Sequence, residues 1–220
     1  MQIAEQYQFI EAVEREFARK RASLLEDYKL LGRPVLIWQG APIEKTFPNA
    51  SLTIAKTAFD RGGGNPRETY WRGFATRYEV VEVFDGFASS KPNDEAGWVS
   101  ELHCDGHLIT SLWDFPKDAR GGEGGALYDF HGEAFGHFIT LAEAVYKSMD
   151  YAGDIFATCT LIAANELPLA RKWGGSGNYI ASSQVSMRPV LRWPVHQVNE
   201  RTSWGDVGLS MSEQFSRLYA

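Results

Sequence analysis

The sequence predicts an α+β fold: an antiparallel-dominated sheet, a meander around the hairpin at 98–114, with helices packed mainly on one face and a long N-terminal helix. Apolar residues recur at spacings of three, four and seven across residues 3–31. Alternating runs at 76–84 and 98–114 are punctuated by Asp85-Gly86 and Asp105-Gly106, pairs that suit tight antiparallel turns. A second helical pattern at 136–150 then feeds a β-branched apolar run at 154–163.

The first helix is written by Ile3, Tyr7, Ile10, Phe17, Leu24, Tyr28 and Leu31, with Glu, Arg and Lys between them. Gly32 is placed to stop it, and Pro34 cannot continue it. This divides the chain into an amphipathic connector or partner helix at 1–32 and an α+β domain at 33–220. Val35–Trp38 follows as a short strand, and Ser51–Phe59, alternating at Leu52 and Ile54, reads as another. The glycine loop at 61–66 lacks the Lys and hydroxyl that a phosphate cradle needs, so nucleotide binding is discounted.

Residues 98–114 read W-V-S-E-L-H-C-D-G-H-L-I-T-S-L-W-D. Taken as a two-residue type I′ loop, Asp105-Gly106 sets Cys104 opposite His107, Leu102 opposite Ile109, Ser100 opposite Ser111 and Trp98 opposite Trp113. Downstream come a glycine-rich stretch at 121–125, the helix at 136–150 closed by Tyr151–Gly153, and the buried strand at 154–163. A second glycine loop at 174–177, an edge strand at 184–193 interrupted by Pro189, and a closing helix at 209–219 complete the layout.

Composition narrows the function classes. With 44% hydrophobic and 23% charged residues the chain has a globular balance, and its 13% aromatics place large flat side chains in the core. A net charge of −6 argues against a surface devoted to nucleic acid, which needs clustered Lys and Arg. No run of 18 apolar residues occurs, so no membrane span is expected. The N-terminus lacks a signal-peptide pattern, and Cys104 and Cys159 read as buried free thiols, so the expected location is the cytoplasm.

Candidate chemistry centres on Glu101, His103, Cys104, Asp105 and His107, which are zinc- and iron-ligating types. In the register above, 101 and 103 share one face while 104 and 107 share the other, so no metal site is expected and the hairpin reads as scaffold. His131 and His137, with Glu133 between them, could serve acid–base work but have no identifiable partner. Ser176 lacks a nucleophile elbow, and Asp154 and Glu166 are too isolated for a carboxylate pair. Trp98 and Trp113 read as a packed aromatic pair rather than a stacking platform. Arg15, Arg19, Lys20 and Arg21 form a local basic patch that could contact nucleic acid; the plainer reading is a solvated face with a Glu16–Lys20 pair.

Four stretches (A-R-K-R-A-S-L-L, R-P-V-L-I-W, the W-V-S-E-L-H-C-D-G-H-L-I-T hairpin, and L-A-E-A-V-Y-K-S-M-D-Y-A-G-D-I-F) together resemble the C-terminal half of bacterial Schlafen-like proteins. The likeness spans most of residues 1–195. It implies an N-terminal AlbA-type DNA-binding domain lying outside this chain, with residues 3–31 as the connector from it. Nucleic acid then enters only indirectly, and no functional residue is carried over.

The expectation is therefore a non-catalytic accessory or protein-interaction domain of a larger bacterial regulatory or DNA-associated protein, without cofactor. Its partner would be a protein, or a second copy, met through the N-terminal helix. One alternative is a small-molecule-binding domain or hydrolase using a cleft near the glycine loops. The other is a nucleic-acid module using Arg15, Arg19, Lys20 and Arg21.

Overall fold

A computed structural model describes residues 3–43, 51–62, 79–90, 97–113, 130–168, 170–173, 178–181 and 185–218. Helix α1 (Ile3–Asp27) is ended by Lys29, which turns left-handed (φ 54°) while Leu30 N–H reaches back to the Leu25 carbonyl. That six-to-one bond satisfies an orphan carbonyl, so the helix stops before the predicted Gly32. Helix α3 (Phe130–Ser148) ends the same way on Asp150 (φ 53°), with Tyr151 N–H on the Tyr146 carbonyl.

The sheet is antiparallel throughout, as expected. Strand β1 (Val35–Pro42) lies at its centre, between β5 (Leu108–Leu112) and β6 (Ile155–Ile162). Beyond β5 the order continues through β4 (Trp98–His103), β3 (Gly86–Ser90) and β2 (Val80–Val83), the predicted meander. The far side of β6 pairs with two short strands end to end: β9 (Val190–Arg192) along 160–162 and β10 (His196–Val198) along 155–157. Strands β7 (Ala170–Trp173) and β8 (Asn178–Ala181) form a separate hairpin.

Helix α2 (Leu52–Gly62) replaces the strand expected at 51–59. Ser51 Oγ accepts from Ile54 N–H as an N-cap, and Ala55, Ala58 and Phe59 bury one helical face. Helix α4 (Trp204–Leu218) starts five residues before the predicted 209, because Ser203 and Asp206 cap each other reciprocally. With α3, these two helices cover one face of the sheet. Trp38 lies at the centre of that dry layer, against Phe135 and Phe138, while Trp204 stacks on Tyr146. Helix α1 lies on the opposite face, over Val35, Ile37, Val99 and Ile109. Leu24 and Leu25 at its C-terminal end, with Leu30 just beyond it, are buried in this layer.

The central hairpin differs from its predicted register by one residue. The pairs are Leu102–Leu108, Glu101–Ile109, Ser100–Thr110, Val99–Ser111 and Trp98–Leu112. The loop holds three residues, Cys104-Asp105-Gly106: Gly106 N–H bonds to the His103 carbonyl and only Gly106 has positive φ, at 80°. That is a type I turn followed by a glycine bulge, not a type I′ pair. A one-residue slip reverses every facing. Trp98 therefore joins the helix-covered core while Trp113 packs on the α1 side, and the two do not pair.

Candidate functional site

The corrected register gathers polar groups under α1. His103 and His107 flank the loop directly, their rings 5.9 Å apart, on the same face as Glu101. The turn between β2 and β3 adds Asp85, whose carbonyl accepts from Cys104 N–H at 2.7 Å and so joins the two hairpin tips. Gly86 permits this approach: a Cβ there would lie 2.3 Å from the Leu102 carbonyl oxygen.

Lys20 descends from α1 onto these tips. It is buried, at 4% side-chain exposure, with its ammonium 2.6 Å from Asp85 Oδ2 and 3.7 Å from Asp105 Oδ2. The other Asp85 oxygen holds His103 Nδ1, and Glu101 Oε2 lies 3.4 Å from His103 Nε2, an ion-pair contact rather than an aligned bond. Tyr28 closes the chain by donating to Glu101 Oε1 at 2.7 Å. Burial by itself would lower the His103 pKa; the carboxylates of Glu101 and Asp85 more than offset it and raise the value. His107 moves the opposite way: complete burial, with His103 and Lys20 nearby, holds it neutral. Its Nε2 faces Gln39 Nε2 at 3.2 Å, so the neutral ring accepts there. The Tyr28 hydroxyl is pushed up above its usual range by burial and by Glu101.

This cluster is closed. Its charges answer one another: Lys20, His103 and Glu101 are buried between helix and sheet, while Asp85 and Asp105 meet them from the half-exposed hairpin tips. Among the described residues no group of three or more His, Cys, Asp or Glu side chains has the geometry to hold a metal ion. The chemistry it performs is attachment of α1.

One helical turn toward the N-terminus the interface opens. Between α1 and the edge formed by β6 and β9 lies a cleft of about 540 Å³. Arg21 forms one wall, half-buried, with Nη1 donating to Gln39 Oε1 at 3.0 Å and to Thr160 Oγ1 at 3.2 Å. Arg192, paired with Thr160 across β6–β9, forms the other, while Thr158 and Trp193 line it between. Burial and the neighbouring Arg192 charge lower the pKa of Arg21. Glu11 and Glu14 stand on the α1 side of the opening. Phe9 against Phe156, with ring centroids 5.6 Å apart, holds the helix beyond it.

The four basic residues singled out from the sequence are thus dispersed. Arg15 Nε donates to the Glu11 carbonyl, and Arg19 pairs with Glu16 at 2.6 Å. Lys20 takes Asp85 rather than the expected Glu16, and Arg21 enters the cleft. Arg15 lines the same cleft as Arg21, and Arg19 lies one turn from Arg15 on the exposed face, whereas Lys20 is buried against the hairpin tips. His137 sits half-buried on α3 with its pKa lowered by burial. The side chains of His131 and Glu133, the loops at 63–66, 121–125 and 174–177, and the cleft expected beside them lie outside the described residues. Arg192, Thr158 and Thr160 carry no motif of their own in the sequence; the strands expected at 154–163, for the two threonines, and at 184–193, for Arg192, held their signal.

No helix among the described residues is long and apolar enough to cross a membrane. Comparison of the chain with protein-family models, with curated proteins and with solved structures finds no match.

Proposed function

We propose that this chain is a non-catalytic small-molecule-binding domain whose ligand lies between α1 and the β6–β9 edge. The observation that carries the reading is the cleft itself. Its volume of about 540 Å³ falls within the range of small-molecule sites, about 300 to 1,000 Å³. Polar groups from α1, β6 and β9 converge on it. Its walls carry guanidinium, hydroxyl and carboxylate groups, the few polar anchors that orient a small ligand in such a site. The cytoplasm is the proposed setting, since Cys104 and Cys159 are free thiols and a reducing compartment keeps them so.

The test is a thermal-shift screen of metabolite-sized compounds on the full chain, repeated on Ala18→Trp. Ala18 is exposed on the cleft wall, so the indole fills the opening without disturbing the core. Ligands are expected to raise the Tm of the parent chain and not of the variant. Hits that stabilise both equally would sink the proposal.

A protein-interaction role is supported by a separate observation. Phe84 is fully exposed at the β2–β3 turn, near the half-exposed Val81 on β2, whose one strand partner among the described residues is β3. An apolar edge of this kind suits strand addition by a partner. Pull-down with Phe84→Ser and Val81→Lys tests it: unchanged capture by the double variant would remove this reading.

A further inference from the structure

We infer that the cleft takes the oxyanion head of a small molecule, a carboxylate or a phosphoryl group, on Arg21 and Arg192. The inference rests on the small-molecule reading above and goes beyond it by naming the ligand's charge and the atoms that meet it.

Both hydrogens of Arg21 Nη1 are engaged, one on Gln39 and one on Thr160. That fixes the guanidinium plane and leaves the Nε–Nη2 edge without a hydrogen-bond partner among the described residues. The edge carries two parallel N–H groups, the fork that matches a carboxylate or phosphoryl group bidentately. A half-buried guanidinium ordinarily has an acid beside it, because removing the charge from water without a partner is costly. Here no described carboxylate lies within ion-pair distance, and the charge that Arg21 feels is a second cation, Arg192. An anion between the two relieves both the desolvation and the repulsion.

The hydroxyls support the same occupant. Thr158 Oγ1 gives its hydrogen to the Trp193 carbonyl at 3.0 Å, so it is already committed. Thr160 Oγ1 accepts from Arg21, which leaves its own hydrogen to donate. The donors left in the cleft are therefore the Arg21 edge, the Arg192 guanidinium, the Thr160 hydroxyl and the terminal nitrogens of Arg15, whose Nε is committed to the Glu11 carbonyl. Glu11 and Glu14 on the outer side limit the size of the anion: a nucleic-acid strand would have to pass its phosphates across them.

Calorimetric titration of the full chain with benzoate and phenyl phosphate, against benzylamine and benzyl alcohol, tests the inference. Binding of either anion, with the amine and alcohol failing, is the expected result; the tighter anion identifies the head group. Arg21→Gln should weaken anion binding about ten- to a hundredfold, and Arg192→Gln by less because it is exposed. Arg21→Lys keeps the charge but loses the fork and should not restore affinity. Circular dichroism melts check that each variant folds, and the exposed Arg192 keeps the test available if Arg21→Gln does not. The inference is overturned if the neutral or cationic probe binds as tightly as the anions, or if both glutamine variants leave anion affinity unchanged. It is also overturned if no probe binds. In each of those cases the Ala18→Trp screen still decides the small-molecule reading independently.

Discussion

Trp38 and Gln39 are neighbours on β1, both fully buried, and they face opposite sides of the sheet. Trp38 meets Phe135 and Phe138 on α3, where the requirement is volume and shape. Gln39 meets α1, giving a hydrogen to the Phe17 carbonyl at 3.0 Å and accepting one from Arg21. The first face is a conventional dry core. The second buries Lys20, Glu101, His103 and His107 as well, and each of those must find a particular partner. An apolar face accepts many repackings, whereas a buried charge accepts few, so the polar side fixes where α1 lies and, with it, the shape of the cleft.

The strongest way to break this comparison is to excavate the dry face. Trp38→Ala should cost about 3–5 kcal/mol in chemical denaturation, with little dependence on pH or salt. A loss below about 1 kcal/mol would mean that the helix-covered face is not the main source of stability. Next in size is Lys20→Met, which keeps the buried stem and removes the charge. It should cost about 1–3 kcal/mol, less than for a fully buried pair, because Asp85 is 45% exposed and partly screened. The loss should be larger at low salt; indifference to salt would argue that Lys20 acts through packing alone. Tyr28→Phe removes only the bond to Glu101 and should cost about 1–2 kcal/mol, read from the same denaturation curves.

The smallest effect is the most discriminating. His103 has a raised folded pKa, so its stabilisation is present below the unfolded value of about 6.5 and is lost as pH rises through the folded value. His107 has a depressed one, so its unfolded form gains a proton below about pH 6.5 that the folded form does not, and stability falls with acid. His103→Gln should therefore cost more at pH 6 than at pH 9, while the deficit of His107→Gln should shrink on going from pH 8 to pH 5. Each slope is at most about 1.4 kcal/mol per pH unit. Parallel slopes for the two variants would show that the histidines share one environment.

Sequence periodicity was enough for α1, for β6 and for the meander, because those signals repeat along the segment itself. It failed where a single local choice decided the outcome. Asp105-Gly106 suits a type I′ pair, but Gly106 alone takes the left-handed conformation, and the resulting one-residue slip sets His103 opposite His107 and parts Trp98 from Trp113. Leu52 and Ile54 suggested alternation over a segment whose Ala55, Ala58 and Phe59 follow helical spacing. Ser203-x-x-Asp206 is a capping pair legible in the sequence itself, and it places the helix start ahead of 209. The cleft lay further out of reach. Arg21 was marked as a basic residue, but what gives it meaning is Arg192 on a strand that only the folded sheet brings beside it.

The position of β1 has a kinetic consequence. It precedes every other described strand of the sheet, yet its neighbours are β5 and β6, so it is the keystone between a locally wound meander and a later-made edge. During synthesis the meander can pair within itself, but β1 keeps one edge unsatisfied until residues 155–162 emerge. Such long-range pairing is slow, since loop closure precedes its reward. Assembly of the sheet, and of the α1 cleft that needs β6 and β9 as its far wall, therefore waits until residues 190–192 have emerged.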